Sequence, residues 1–246
     1  MAKDLFSGHA AGYARYRPGY PEAMIAQILA QVHGRQAAWD CATGNGQAAI
    51  LLAPHFDRVY ATDISQQQLS QAPQHPSIHY SVSPAETTSF EDNSFDLITV
   101  AQAYHWLSFT AFHNEAARVG RPGCLIAIWG YGLIETADLA LRTLIGHFYT
   151  DTIGAYWDPE RKYIDQQYRT VPFPFPECSY GSFHIRVSWS KEDLLGYLNT
   201  WSSVQHFKKA NGYNPVDHWA GELGQVWGAE TTRTFSFPLF LRMGRL

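Results

Sequence analysis

Apolar and polar positions along the chain follow two periods, one helical and one extended. Met24, Ile25, Ile28, Leu29 and Val32 recur on one helical face. This predicts a helix that Pro21 opens and Gly34 ends. A short apolar approach at about 36–41 carries Asp40 near its end. Gly44 and Gly46 come next, then an Ala- and Leu-rich run at about 46–54. That order reads as strand, glycine loop and helix N-terminus. Arg58–Asp63 is a second strand ending in an acid, and Ser65-Gln66-Gln67-Gln68 is a capping-box pattern that opens another helix. Ile78–Val82 and Phe95–Val100 read as the third and fourth strands. Ser108 is expected to cap a helix whose inward face is Phe109, Phe112, Ala116 and Val119, and Pro122-Gly123 leads into a fifth strand, Cys124–Trp129.

Strands alternating with helices in this way predict an α/β fold, a parallel sheet with helices on both faces. Right-handed crossovers place the strand C-termini along one edge, where ligands of such sheets bind. Asp40, Asp63, the 83–86 loop and Ala101 to Trp106 should therefore meet in one crevice. Beyond residue 130 the pattern changes. Residues 134–150 read as helical, and 157–178 are rich in proline and aromatics. A strand is expected at 181–188, followed by a helix capped by Ser190 with Asp193 and another opened by Asn214-Pro215. A terminal strand, Thr231–Leu241, is expected to bend at Pro238. The chain is read as a single domain, 1–246. Within it, 1–34 is an N-terminal cap and helix, 35–130 a cofactor-binding core, 131–228 a helical lid over the substrate, and 229–246 the terminal strand.

Composition narrows the partners. With 46% hydrophobic residues the chain can build a substantial core, and a net charge of −4 gives no electrostatic reason to expect nucleic acid. The three cysteines form neither a CxxC motif nor an even disulfide set, so a reducing cytoplasm is the expected setting. Met1 to Leu5 lack the apolar core of a signal peptide, and no apolar run reaches bilayer length, so no membrane association is expected. The eleven histidines form no HExxH motif, and no metal site is expected. The eight tryptophans either extend the core or line a pocket for a small molecule. The sequence is silent on oligomeric state.

The glycine loop points to a nucleoside cofactor, because positions without a Cβ let backbone N–H groups approach a ligand at a helix N-terminus. Gly44-x-Gly46-x-x-Ala49 with Asp63 also fits a dinucleotide fingerprint, which an NAD(P)-dependent oxidoreductase would carry. Three features pull away from it. Asp40 precedes the glycines on a loop longer than the tight dinucleotide turn. No second glycine-flanked helix offers a pyrophosphate site. Ala85-Glu86 and Gln102-Ala103-Tyr104-His105-Trp106 flank the fourth strand.

Here the chain resembles the class I S-adenosylmethionine-dependent methyltransferases of the type 11 group. Within them it is similar to small-molecule methyltransferases related to trans-aconitate methyltransferase. Asp40-Cys41-Ala42-Thr43-Gly44-Asn45-Gly46 matches the D-x-G-x-G-x-G loop, with Ala42 at the first glycine. Asp63, Ala85-Glu86 and Arg121-Pro122-Gly123 match further motifs, as do Phe6-Ser7-Gly8, Tyr13, Arg17 to Pro21 and Trp201-Ser202. The resemblance implies a Rossmann-like sheet of seven mostly parallel strands with a helical lid. It also implies S-adenosyl-L-methionine as cofactor, S-adenosyl-L-homocysteine as product, and a small-molecule acceptor. A non-catalytic S-adenosylmethionine-binding protein remains an alternative, as does the oxidoreductase.

Each candidate residue has a chemical reason. Ala42, Thr43, Gly44, Asn45, Gly46 and Gln47 would lie along the methionine part of the cofactor, and Asp63 with Ile64 at the ribose. Ala85 and Glu86 would face the adenine, and Ala101 and Gln102 the transferred methyl. Asp40 either orients the loop or serves the cofactor ammonium indirectly. Tyr13, Tyr16 and Arg17 precede the first helix and are candidates to fold over the site, with Arg17 pairing a carboxylate of cofactor or substrate. His105 is the catalytic candidate, as a general base or a hydrogen-bond donor to the acceptor. Tyr104, Trp106, Trp129, Tyr131 and Trp201 are candidate pocket walls, a carboxylate being the favoured acceptor.

Overall fold

In the computed structural model, which describes residues 15–178 and 183–246, seven strands form one sheet. They are β1 (Ala37–Cys41), β2 (Arg58–Asp63), β3 (Ile78–Val82), β4 (Phe95–Ala101), β5 (Gly120–Tyr131), β6 (Phe183–Trp189) and β7 (Arg233–Arg245). Their spatial order is β3-β2-β1-β4-β5-β7-β6. The strands from β3 to β5 run parallel, and β7 runs antiparallel to both β5 and β6. The expected seven-stranded, mostly parallel Rossmann-like sheet is therefore present.

The central strand β1 is buried along its whole length, which its short Ala-Ala-Trp run permits on a sheet covered on both faces. Two apolar layers result. Met24, Ile28, Leu52 and Trp129 belong to one, and Trp39, Phe95, Phe112 and Ile126 to the other. Chain order reverses between β1 and β4, which places the switch point at the ends of Cys41 and Ala101. No helix among the described residues is long and apolar enough to cross a membrane.

Several boundaries differ from the sequence expectation. The first helix, Glu22–Ala30, stops before Gly34. Gly34 is instead a packing position, since a Cβ there would stand 2.4 Å from an Asp96 carboxylate oxygen. That carboxylate accepts the amides of Gln36 and Ala37 and pairs with Arg121 at 2.7 Å. The helix after the glycine loop ends at Leu52, where Pro54 allows only a tight 3₁₀ turn. Ser65 caps its helix, accepting from the Gln68 amide at 3.2 Å, but the expected capping box does not close, because Asp63 Oδ1 rather than the Gln68 side chain accepts the Ser65 amide. Ser108 does not: its side chain makes no capping bond, and the Glu86 carboxylate accepts the Ser108 amide at 2.9 Å. The helix predicted over 134–150 starts only at Leu139 and runs to His147, continuing as a π-helical turn over Phe148–Thr152, while Glu135 bridges to Ser236.

β7 continues straight through Pro238. The Pro238 carbonyl accepts from Gly132, one residue beyond the end of β5 at Tyr131. The missing proline N–H falls on that same side, where no β5 partner remains.

Candidate functional site

The glycine loop rises from the C-terminal end of β1. Gly44 has φ +57°, and a Cβ added there would meet nothing nearer than the Gln68 Oε1 at 3.9 Å. The space beside it is open to a ligand. Gly46 has φ +80°, and a Cβ there would stand 2.6 Å from the Tyr80 hydroxyl. Its glycine is required by backbone conformation and packing, and Gly46 does not line the cavity.

Ala42, where the resemblance expects the first glycine, also holds a left-handed backbone, φ +52°. A Cβ in that region costs on the order of 1 kcal/mol. Ala42→Gly is therefore expected to raise stability by roughly 0.5 kcal/mol once the extra freedom of unfolded glycine is subtracted. Urea unfolding of the variant checks this, and a clear loss of stability would contradict the strain.

A cleft of roughly 950 Å³ lies above this loop. Ala42, Thr43, Gly44, Asn45 and Gln47 form one wall, Asp63 and Ile64 a second, Ala85 and Glu86 a third, and Ala101, Gln102 and Trp106 the end. These are the residues the sequence placed at the cofactor, apart from Asp40, Gly46 and the N-terminal pair Tyr13 and Arg17. Ser83 of the expected 83–86 loop lines it too, and Tyr20, Ser65, Gln68 and Leu107, which the sequence reading did not include, also do. Asp63 Oδ2 accepts the Gly44 amide and Oδ1 the Ser65 amide, both at 2.8 Å.

Asp40 sits behind the loop and does not line the cleft. It is fully buried, accepting from Thr43 Oγ1 and, at 2.7 Å, from Thr99 Oγ1. Burial pushes its pKa up to about 6 against the lowering effect of these two hydroxyls. Of its two expected roles, the geometry is that of orienting the loop.

Gln102 closes the end of β4 with a left-handed backbone, φ +54°. Its Oε1 accepts the Tyr131 amide at 2.7 Å, and its Nε2 donates to the Tyr131 carbonyl at 3.4 Å. The side chain thus continues the ladder where β4 leaves it. A Cβ on Gly130 would stand 2.9 Å from that Oε1, so the glycine makes room for the arrangement.

A second cavity, roughly 450 Å³, shares Gln102 and Trp106 with the first. Arg17, His105 and Trp201 line it, as does a lid segment that the sequence reading did not single out: Trp157, Asp158 and Arg161. Arg161 Nε donates to Tyr149 Oη at 2.9 Å and lies 3.3 Å from Asp165 Oδ1. Its guanidinium stacks 4.6 Å from the Trp157 ring centroid. Its two terminal nitrogens make no hydrogen bond among the described residues. Arg17 donates to Tyr131 Oη at 2.7 Å and to the Thr200 carbonyl at 3.3 Å, and its guanidinium lies over the Tyr197 ring. It ties the N-terminal segment to both sheet and lid while lining this cavity.

His105 Nδ1 lies 2.8 Å from the Tyr168 hydroxyl. Burial, then the charges of Arg161 and Arg17, lowers the His105 pKa to about 3. At neutral pH it is a neutral hydrogen-bond donor and a poor general base.

Four expected pocket residues are placed elsewhere. Tyr104 is fully buried, its hydroxyl 2.5 Å from His113 Nε2 and donating to the Pro172 carbonyl at 2.8 Å. Trp129 is fully buried behind Tyr20, edge to face at 5.4 Å. Tyr131 acts through Arg17 and Gln102 rather than by facing the cavity. Tyr16 rests on the lid, where a Cβ at Gly196 would come within 2.5 Å of its ring. Tyr13 and the Phe6-Ser7-Gly8 motif lie outside the described residues.

Comparison with known proteins agrees with this geometry. Residues 39–128 match the family described as a methyltransferase domain. A Dictyostelium discoideum protein named as a methyltransferase is 34% identical over 210 residues, covering 84% of this chain and 80% of that protein. A Mycobacterium tuberculosis protein, named an uncharacterized methyltransferase, is 32% identical over 70% of this chain and 66% of its own length. A solved structure from Anaeromyxobacter dehalogenans, described as a type II methyltransferase, is 37% identical with a TM-score of 0.85, covering 94% of this chain and 98% of that one.

Proposed function

The chain belongs to the class I S-adenosylmethionine-dependent methyltransferases, and we propose that its acceptor is a small molecule whose carboxylate is methylated in the second cavity. Bound S-adenosylmethionine would supply a sulfonium-activated methyl group: a carboxylate oxygen would bond to the methyl carbon as the S–CH3 bond breaks, giving an ester and S-adenosylhomocysteine without releasing a proton. The cleft fits that cofactor: Gly44 leaves open space at the loop, and Asp63 presents a carboxylate to a ribose. Ala85 and Glu86 stand where the adenine would lie, and Ala101 and Gln102 where the methyl would face the second cavity.

The observation that carries the acceptor reading is Arg161. It is a half-buried guanidinium with two unpartnered terminal nitrogens, in a cavity that meets the cofactor cleft at Gln102 and Trp106. A fork of this kind suits a carboxylate. His105 lines the same cavity and is a poor base, which favours an acceptor that needs none. Trp106, Trp157 and Trp201 exclude water around the reacting atoms.

The test is a panel of carboxylic acids incubated with S-adenosylmethionine, with methyl esters detected by mass spectrometry. Arg161→Ala is expected to raise KM for the acceptor about 10-fold, the loss of one charged hydrogen-bonding partner, and to leave S-adenosylhomocysteine affinity unchanged. Methylation of amines or phenols alone, or an unmoved KM, would overturn the proposal. Family membership removes the oxidoreductase alternative. A non-catalytic binding protein would bind S-adenosylhomocysteine and turn over no member of the panel.

A further inference from the structure

Asp158 is a carboxylate in the second cavity that accepts no side-chain hydrogen bond at Oδ2 among the described residues. Its side chain is 11% exposed, and its Oδ2 is buried without a hydrogen-bond partner. His206 Nδ1 lies 3.7 Å away, beyond hydrogen-bond reach, and donates to the Tyr156 carbonyl at 3.1 Å. Asp158 does not cap the helix Arg161–Asp165, where only its backbone carbonyl accepts the Arg161 amide. A buried carboxylate oxygen left this way is costly unless a ligand completes it.

Charge points to the ligand's form. Arg17, Arg161 and Asp158 line the cavity, and Asp165 stands 3.3 Å behind the Arg161 Nε. The two guanidiniums are thus matched by two carboxylates, one of them facing the cavity. An acceptor with a second carboxylate would meet Asp158 as a like charge. An acceptor carrying a protonated amine beside its carboxylate would satisfy Asp158 and Arg161 together.

We infer that the acceptor is a zwitterion, an amino acid or a close relative, with its carboxylate held by Arg161 beside the His105 imidazole and its ammonium by Asp158. This rests on the carboxylate reading above. The ammonium has no lone pair while protonated, so Asp158 also directs the methyl to the carboxylate oxygen. The rings of Trp157 and Trp201, tilted by 48° with centroids 5.4 Å apart, leave an apolar wall for the rest of the molecule.

The experiment pairs α-amino acids with their deaminated counterparts, the same acids lacking only the amine. Methyl transfer is measured for both series on the wild type and on Asp158→Asn. Calorimetry with each compound is run on the S-adenosylhomocysteine complex, and S-adenosylhomocysteine affinity reports on folding. The wild type is expected to prefer an amino acid over its deaminated partner at least 10-fold in kcat/KM. Asp158→Asn, which keeps the shape, should remove most of that preference through KM and leave S-adenosylhomocysteine affinity unchanged. Equal or better turnover of the deaminated series would overturn the zwitterion and keep the carboxylate reading. So would a preference that survives in Asp158→Asn. Turnover of neither series would remove both.

Discussion

Asp63→Ala is expected to weaken S-adenosylhomocysteine binding about 100-fold or more. The carboxylate lines the cleft beside Ile64. Two ribose hydroxyls donating to an ionised carboxylate form charged hydrogen bonds of roughly 1.5–3 kcal/mol each, and losing both gives at least two orders of magnitude in Kd. Alanine also releases the Gly44 and Ser65 amides that Asp63 holds at 2.8 Å, so the loop loses a tether as well as a ligand contact. Asp63→Asn separates the two effects. It keeps one oxygen and the side-chain shape, so an intermediate loss of about 10-fold is expected. Calorimetric titration measures the change, and melting by circular dichroism shows that the fold survives. An affinity within threefold of wild type in the alanine variant would remove Asp63 from the ribose.

The legible part of this protein was the part whose residues act through the local chain. The strand, glycine loop and helix around Gly44 announce themselves through apolar runs and glycines. The acids and loops at the strand ends follow from parallel topology. What sequence could not show was set by long-range packing. β5 starts at Gly120 rather than Cys124 because Gly120 pairs with Phe95, a partner 25 positions away in the chain. Ser108 stands where a cap belongs, yet the carboxylate that accepts its amide comes from Glu86 on another loop. Trp129 and Tyr104 sit near the right strand ends, but periodicity does not say which layer each ring enters, and both enter the core. Arg161 and Asp158 belong to a segment whose proline and aromatic content signals no chemistry. Only its folding against Trp201 and His105 brings them to Gln102. The first cleft was therefore readable, while of the second cavity only Arg17, Gln102, His105, Trp106 and Trp201 were, because the first is built on loops at the strand ends and the rest of the second on long-range packing of the 157–161 segment.

Asp40 makes a prediction that joins the two links of stability and function. Its pKa rises from 3.8 to about 6 through burial. In the unfolded chain it ionises near 3.8, so between about pH 4 and pH 6 the folded protein holds a proton that the unfolded chain has released. This contribution to stability is therefore lost as pH rises through that window, the reverse of an ion-paired carboxylate. Above pH 6 the folded state carries the full cost of the buried charge, about 3 kcal/mol. Asp40→Asn removes the titration and keeps the shape, while Thr43 and Thr99 can reorient their hydroxyls toward an amide. Relative to wild type, the variant should gain about 3 kcal/mol between pH 4 and pH 7 in urea unfolding; parallel pH profiles would contradict the raised pKa. The same variant should bind S-adenosylhomocysteine about 10-fold more weakly at pH 7. The ionised carboxylate fixes the hydroxyl of Thr43, which lines the cleft, and an amide would fix it less firmly. Stability gained together with affinity lost is the signature of a charge kept for the loop it orients.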